Sequence, residues 1–454
     1  MNYQLINDPK ASREARLSAL KAGVGEKPGP AQTTGEVNNH IHTIYSFSPY
    51  TPSMAALKAR EAGLEAAGSV DHDSSAAAEE MLRACASLGI GACVGFEVRV
   101  SLTQGPWGPT SFAHKKLNNP DSVGILYMTV QGIPKPQLSA VEDFLKSIRA
   151  QRFLRIQAMT EAANTLLTET GFTEDIDFVQ DILDRSQYAA GGAITERHLL
   201  AAVAAKIIQG FGKGPALVQG LSSALGIVPR PEIRAFLGDT ENPHYLYDLL
   251  GVLKSALLPR IYIPPQETEC IPAQTVVDFA RSIGAIPSYA YLGDVGASPT
   301  GDKQAEPFED AYLEALFEAL ARIGYQGITY MPPRNTPAQL KRVRDLCTAW
   351  GFMEISGVDI NSSRQSFTCP EVRSPSCRHL VDSTWALIAH ERLCSLDPRW
   401  GLFSSKNPLA GESLASRLAT YAAAGRALDH RHPEASAIHL AENLIHGRIV
   451  YGKS

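Results

Sequence analysis

A seven-stranded (β/α) barrel interrupted by a helical insertion is the α/β fold this sequence predicts, and three observations lead there. Short apolar segments alternate with helical stretches of roughly 10 to 15 residues, the rhythm of parallel strands joined by right-handed crossovers. That rhythm breaks between Ser139 and about residue 265, where successive helices are read, and then resumes. Ionisable residues sit at the C-terminal ends of most candidate strands: His40/His42, Asp71/His72/Asp73, Glu97, Asp294 and Asp359. An open doubly wound sheet fits the periodicity as well, but a barrel converges those ends around one axis.

Taken in order, residues 1–35 are polar and rich in Lys, Pro and Gly, and read as a surface helix and linker. The first strand carries His40 and His42. Thr51-Pro52 supplies an N-cap and a proline at the first helical position, opening an Ala-rich helix that ends near Gly63. The second strand is Leu64 to Val70; Ser74 caps a helix from Ala76 to Leu88 that stops at Gly89. Ala92 to Val100 and Val123 to Val130 are the third and fourth strands. Ser139 and Glu142 suggest a capping box opening a long amphipathic helix through Phe144, Ile148, Phe153, Ile156 and Met159. After the insertion come helix Ala273 to Ser282, strand Ala285 to Tyr291, helix Phe308 to Ile323, strand Gly327 to Tyr330, helix Pro337 to Trp350 and strand Phe352 to Ser356. Helices at Thr384 to Cys394 and Leu414 to Ala427 follow. The domain boundaries read from this are 1–35, 36–130 (first barrel part), 131–268 (insertion), 269–366 (second barrel part) and 367–454 (C-terminal helical extension).

With 454 residues, 44% apolar, the chain has ample material for a large core. Its net charge of −5 and the absence of a long Lys/Arg run disfavour extended nucleic-acid binding. No segment approaches the ~20 apolar residues of a membrane span, so no membrane partner and a cytoplasmic location are expected. The seven cysteines are scattered without C-x-x-C spacing and read as reduced structural thiols. A homo-oligomer is compatible with the sequence, which does not fix the assembly.

The stretch that carries chemistry is Glu36 to Pro52. Residues two apart on a strand face one side, so His40 and His42 can aim both imidazoles at one metal ion. Two core histidines satisfied by backbone groups would give the same pattern. Glu97 in an apolar strand is costly to bury without a positive partner, and a cation or an arginine such as Arg99 could serve.

The order of motifs, H-x-H after the first strand, D-H-D after the second, G-F-E in the third and G-x-D after the last, resembles the PHP (polymerase and histidinol phosphatase) family of metal-dependent phosphoesterases. The resemblance covers residues 36–130 strongly and 270–366 moderately. It implies a distorted (β/α)7 barrel of PHP type with divalent metals at its C-terminal mouth. His40, His42, His72, Glu97 and Asp359 match family ligands. Phe47, Asn361 and Tyr291 stand where the family has Asp, His and the His of an A-H-P. These departures imply one full site held by His40, His42, Glu97 and Asp359, a third site empty or rebuilt, and a second site that survives only if His114 or Asp294 moves in. A ligand set of imidazoles and carboxylates suits Mn, Fe or Zn.

Thr195-Glu196-Arg197-His198 resembles the family's R-P-H-I-A segment, which implies that Arg197 and His198 face a substrate phosphate. Helix-surface positions are the alternative. Arg364 and Arg334 are further phosphate candidates, with Lys115 and Lys116 weaker ones. Tyr291 is a candidate proton donor, and His198 is a candidate catalytic residue that adds a donor or relays a proton. The expected activity is hydrolysis of a small phosphate ester, nucleotide or sugar phosphate, by metal-activated water. The alternatives are a metal- or metabolite-binding module with little turnover, and an exonuclease on short oligonucleotides.

Overall fold

The computed structural model describes residues 1–25, 33–103, 112–119, 122–171, 175–294 and 309–445, without the side chains of 442–445. Among them one sheet holds seven strands: β1 (Val37–Ile41), β2 (Ala66–His72), β3 (Gly91–Ser101), β4 (Ile125–Gln131), β5 (Ile286–Ala290), β6 (Gly327–Tyr330) and β7 (Met353–Ser356). They lie in sequence order and curl into a nearly closed barrel. Every residue of β1 and β3 is buried, as expected of barrel strands covered on both faces.

The sheet departs from the all-parallel expectation at β4, which runs antiparallel to both β3 and β5. A parallel neighbour needs a crossover, usually helical. The connection from β3 to β4 has no helix among its described residues, so the chain doubles back, and the insertion that follows β4 restores the parallel sense of β5 to β7.

The seam between β7 and β1 carries one bridge, Ile41 to Ile360, with Ile360 N donating to His40 O and His42 N donating to Ile360 O, each at 3.0 Å. Asparagine side chains supplement it: Asn38 Nδ2 donates to Val358 O (3.0 Å) and Asn39 Nδ2 to Ser356 O (2.9 Å). Gly357 permits this approach, since a Cβ there would stand 2.6 Å from the His40 backbone nitrogen.

Helices α1 (Pro52–Glu61) and α2 (Ala78–Leu88) link the first strands. The insertion is built on α3 (Leu138–Glu169), α4 (Glu196–Phe211) and α5 (Tyr245–Ala256), and buries an apolar core of its own, including Ile156, Leu199, Val203, Leu249 and Leu253. α6 (Ala273–Ser282), α7 (Leu313–Ile323) and α8 (Pro337–Trp350) complete the outer layer. α9 (His379–Leu396) covers the N-terminal end of the barrel, where Glu391 Oε2 accepts from Val94 N (2.7 Å) and Arg392 Nη2 donates to Ala92 O (3.1 Å). α10 (Leu414–Ala427) packs on it.

Four helix starts differ from expectation, α9 among them, which begins at His379 rather than Thr384. Gln137, after a 3₁₀ turn, precedes α3, so Ser139 is already inside the helix; Glu142 Oε1 accepts from Ser75 N and Oγ instead, both at 2.7 Å. α2 begins at Ala78, two residues later than expected, with no side-chain cap; Ser74 Oγ accepts from Ala76 N (3.2 Å) in the preceding turn and donates to Gly191 O (2.7 Å). A 3₁₀ turn, Glu309–Tyr312, leads into α7, and Phe308 lies outside the described residues. All seven cysteines are buried and free. Among the described residues no helix is long and apolar enough to cross a membrane.

Candidate metal centre

The C-terminal ends of β1, β2, β3 and β7 bring His40, His42, His72, Glu97 and Asp359 together. Glu97 meets all three imidazoles: its Oε1 is 3.8 Å from His40 Nε2, and its Oε2 is 3.7 Å from His42 Nε2 and 3.0 Å from His72 Nδ1. His42 Nε2 also stands 3.4 Å from Asp359 Oδ1. Two overlapping triads, His40/His42/Asp359 and His42/His72/Glu97, each hold their ligating atoms within 4.8 Å of one another.

The tautomer of His42 follows from its surroundings. Asp71 is buried and accepts from Thr43 N (2.6 Å), Thr43 Oγ1 (2.7 Å) and Ser46 Oγ (2.6 Å). Ser46, its one proton given to Asp71, must accept from His42 Nδ1–H at 3.2 Å. That leaves the lone pair on Nε2, which is buried, makes no hydrogen bond among the described residues, and faces two carboxylates. Burial, aided by His72, drives the His42 pKa down to about 3, so the ring is neutral. A buried lone pair opposed to two carboxylates is unfavourable unless a cation sits between them. The donor set of imidazoles and carboxylates therefore fits a metal cation. Burial opposes charge on Glu97, but attraction to His72, the hydrogen bond from that ring, and His40 outweigh it and hold the carboxyl down at about 2. Asp359 is likewise lowered: burial works against it, and His42, once protonated in acid, prevails together with His40 and Arg197.

Beside this cluster lies a cavity of about 190 Å³ between the barrel mouth and the insertion. Among the described residues lining it, five are basic (Arg99, Arg152, Arg197, Lys254, Arg334) and three acidic (Glu97, Glu196, Asp359), so the walls are net positive. Arg99 does not pair with Glu97. It donates to Glu196 (3.1 Å) and Glu269 (2.6 Å), within a buried network in which Arg152 holds Asp73 (2.6 Å) and Glu196 (2.9 Å), and Arg155 holds Glu196 (2.7 Å) and Glu269 (2.6 Å). The strands and linear motifs do not announce this network. Its sequence signal is the spacing of Arg149, Arg152 and Arg155, one face of α3, with Arg99 two residues past Glu97 on β3.

The remaining predicted residues divide. Arg197 and Arg334 line the cavity, and Arg197 Nη1 donates to Asn361 O at 2.7 Å. Tyr291 lines it as well, yet its hydroxyl donates to Asp310 Oδ1 at 2.6 Å. His198 is buried with Nδ1 accepting from Thr195 N (3.0 Å), completing the capping box of α4 rather than facing a phosphate. Arg364 is exposed, paired with Asp248 and stacked 3.9 Å from the Phe236 ring centre. His114 is exposed, and Asp294 packs against Asp310; neither joins the cluster, so the second site gains no replacement ligand from them. Lys115 lies over the Tyr312 ring at 4.2 Å, and neither it nor Lys116 lines the cavity. Phe47, at φ 74°, turns away to pack on His198 and Tyr247 with ring centres 5.0 and 6.1 Å apart, and Asn361 Nδ2 donates to Asp359 Oδ1 at 2.6 Å. His72 Nδ1 meets Glu97 at 3.0 Å, within the second of the two triads.

The chain is thus a nearly closed α/β barrel with a histidine and carboxylate cluster at its mouth. No family model and no curated protein matches it. Among solved structures it is similar to a Bifidobacterium adolescentis protein provisionally described as a metal-dependent phosphoesterase, at 17% identity and TM-score 0.48 over 78% of this chain and 97% of the other. It is also similar to an amidohydrolase from Chromobacterium violaceum with bound sulfate and no metal, at 17% identity and TM-score 0.47 over 77% of this chain and 96% of the other.

Proposed function

We propose that the protein is a metal-dependent hydrolase of small phosphate esters of the nucleotide or sugar phosphate class. The observation that carries this reading is the Nε2 of His42, unprotonated, buried and aimed between Glu97 and Asp359 beside a basic cavity. His40, His42 and Asp359 would hold the ion, with Glu97 and His72 adjoining. A divalent ion there supplies Lewis acidity and acidifies water toward neutral pKa. Arg197 and Arg334 present positive charge to phosphate oxygens, which guanidinium groups bind through paired hydrogen bonds. Arg99 and Arg152, their charge balanced by Glu196, Glu269 and Asp73, keep the facing wall rigid.

The test is metal content of the full chain after loading with Mn, Fe or Zn, followed by a phosphate-release screen over sugar phosphates and nucleotides. Metal-dependent release supports the reading; undiminished release from metal-stripped protein rejects it. One specific observation favours a second reading, a metal- or metabolite-binding module with little turnover: the Tyr291 proton is committed to Asp310 and His198 Nδ1 to its helix cap. Bound metal without release from any ester would select that reading.

A further inference from the structure

Asp359 differs from its neighbours in what holds it. Glu97 sits inside β3 with its side chain 9% exposed, whereas the Asp359 side chain is 32% exposed on a segment beyond β7. The barrel grips that segment at Ile360 through the bridge to β1, at Val358 O through Asn38 Nδ2 (3.0 Å), and at Asp359 N, which donates to Met331 Sδ (3.4 Å). Past Ile360, the contacts come from the insertion. Arg197 Nη1 donates to Asn361 O (2.7 Å), His244 Nδ1 lies 2.8 Å from Ser363 Oγ, and Asp248 accepts both Nε and Nη2 of Arg364, the latter at 2.7 Å. Asp248 is steadied in turn by Asn242 Nδ2 at 2.7 Å. Gln365 Oε1 then ties the turn by accepting from Asn361 N and Ser362 N. Asn361 closes the path, because its Nδ2 holds the same Oδ1 of Asp359 that faces His42 Nε2.

We propose that the helical insertion is a positioning element for Asp359: by gripping residues 361–364 it presents that carboxylate to the cation, so metal affinity and docking of the insertion form one linked equilibrium. This rests on the metal reading above. The insertion also roofs the cavity through Leu200, Lys254, Leu258 and Tyr262. A ligand that spans roof and barrel wall therefore favours the docked state and tightens the metal, and linkage requires the metal to tighten that ligand by the same factor. Arg364 acts through Asp359 and touches no substrate.

The test is titration calorimetry of Mn²⁺ into the metal-stripped full chain, for the wild type, Arg364→Ala, Asp248→Asn, the double variant and Ser363→Ala. Residues that orient metal ligands typically affect affinity by 10–100-fold, so each of the first two variants is expected to weaken Mn²⁺ about 10-fold. The double variant is expected to be no weaker than either single one, because both break one pair. The melting temperature of the metal-free protein should move less than that of the loaded protein, a pattern that loss of a purely structural contact would not give. Wild type that binds no Mn²⁺ overturns the metal reading itself. Wild type that binds, with Arg364→Ala and Ser363→Ala both within twofold of it, overturns the positioning role and leaves the metal reading standing. Should Arg364→Ala fail to fold, Ser363→Ala decides the matter, since it removes a single hydroxyl.

Discussion

His42 Nε2 stands 3.4 Å from Asp359 Oδ1 although more than three hundred residues separate them in the chain. Neither atom belongs to the ordinary hydrogen-bond ladder of the barrel. His42 lies one residue past β1, and Asp359 three residues past β7, so the pair spans the seam where the barrel nearly closes. A cation bound there would join the two sides of that seam.

His42→Ala removes the buried lone pair, and metal affinity is expected to fall by about 100-fold or more, beyond the usual effect of residues that only orient ligands. Elemental analysis after dialysis measures this directly. Retention of a full metal complement would show that His42 is not a ligand.

Asp71→Ala acts one step behind the cluster. It removes the carboxylate that accepts from Thr43 and Ser46, so Ser46 Oγ is released to turn and His42 Nδ1–H loses its fixed acceptor. Metal affinity is expected to drop 10–100-fold while the variant remains folded. Circular dichroism alongside the metal titration separates this from unfolding.

Glu196→Gln leaves Arg99, Arg152 and Arg155 with one fewer negative partner in a buried setting. Breaking such a pair from one side costs about 3–5 kcal/mol, and urea denaturation should show a loss of that order. A loss below about 1 kcal/mol would mean that the network is better hydrated than its burial indicates.

His390, beneath the barrel, gives a pH signature away from the metal centre. Burial drives its pKa down to about 4, while Nδ1 accepts from Leu402 N at 2.9 Å. The unfolded chain takes up this proton at the ordinary value near 6.5, the folded chain only near 4. Stability from this group is therefore fully present above about 6.5 and is lost as pH falls toward about 4, by roughly 3 kcal/mol in all. His390→Asn keeps an acceptor for Leu402 and does not titrate. The difference between wild type and variant should shrink by about 2 kcal/mol between pH 7 and pH 5, measured by urea denaturation with chelator present.

Much of the barrel is legible from local pattern alone. The β6, α6, α8 and α10 boundaries coincide with those read from periodicity and caps, because apolar spacing and end signals are short-range properties. The antiparallel course of β4 is not, since strand direction depends on how the connecting chain travels. The same holds for the site: i, i+2 spacing sets His40 and His42 on one face, yet Arg364, near Asp359 in sequence, is held by Asp248 on the insertion.

What the sequence alone determined is which side chains the strand ends carry: two imidazoles at the end of β1, one at the end of β2, a carboxylate in β3 and another after β7. Tertiary structure alone decided their neighbours, placing Tyr291 on Asp310, His198 on its helix cap, and Arg99 with Glu196 and Glu269. The reason is physical. Spacing of two to four residues fixes the direction of a side chain within its element, whereas a charged group's partner is set by which elements pack together, and each burial must then be compensated by whatever charge arrives there.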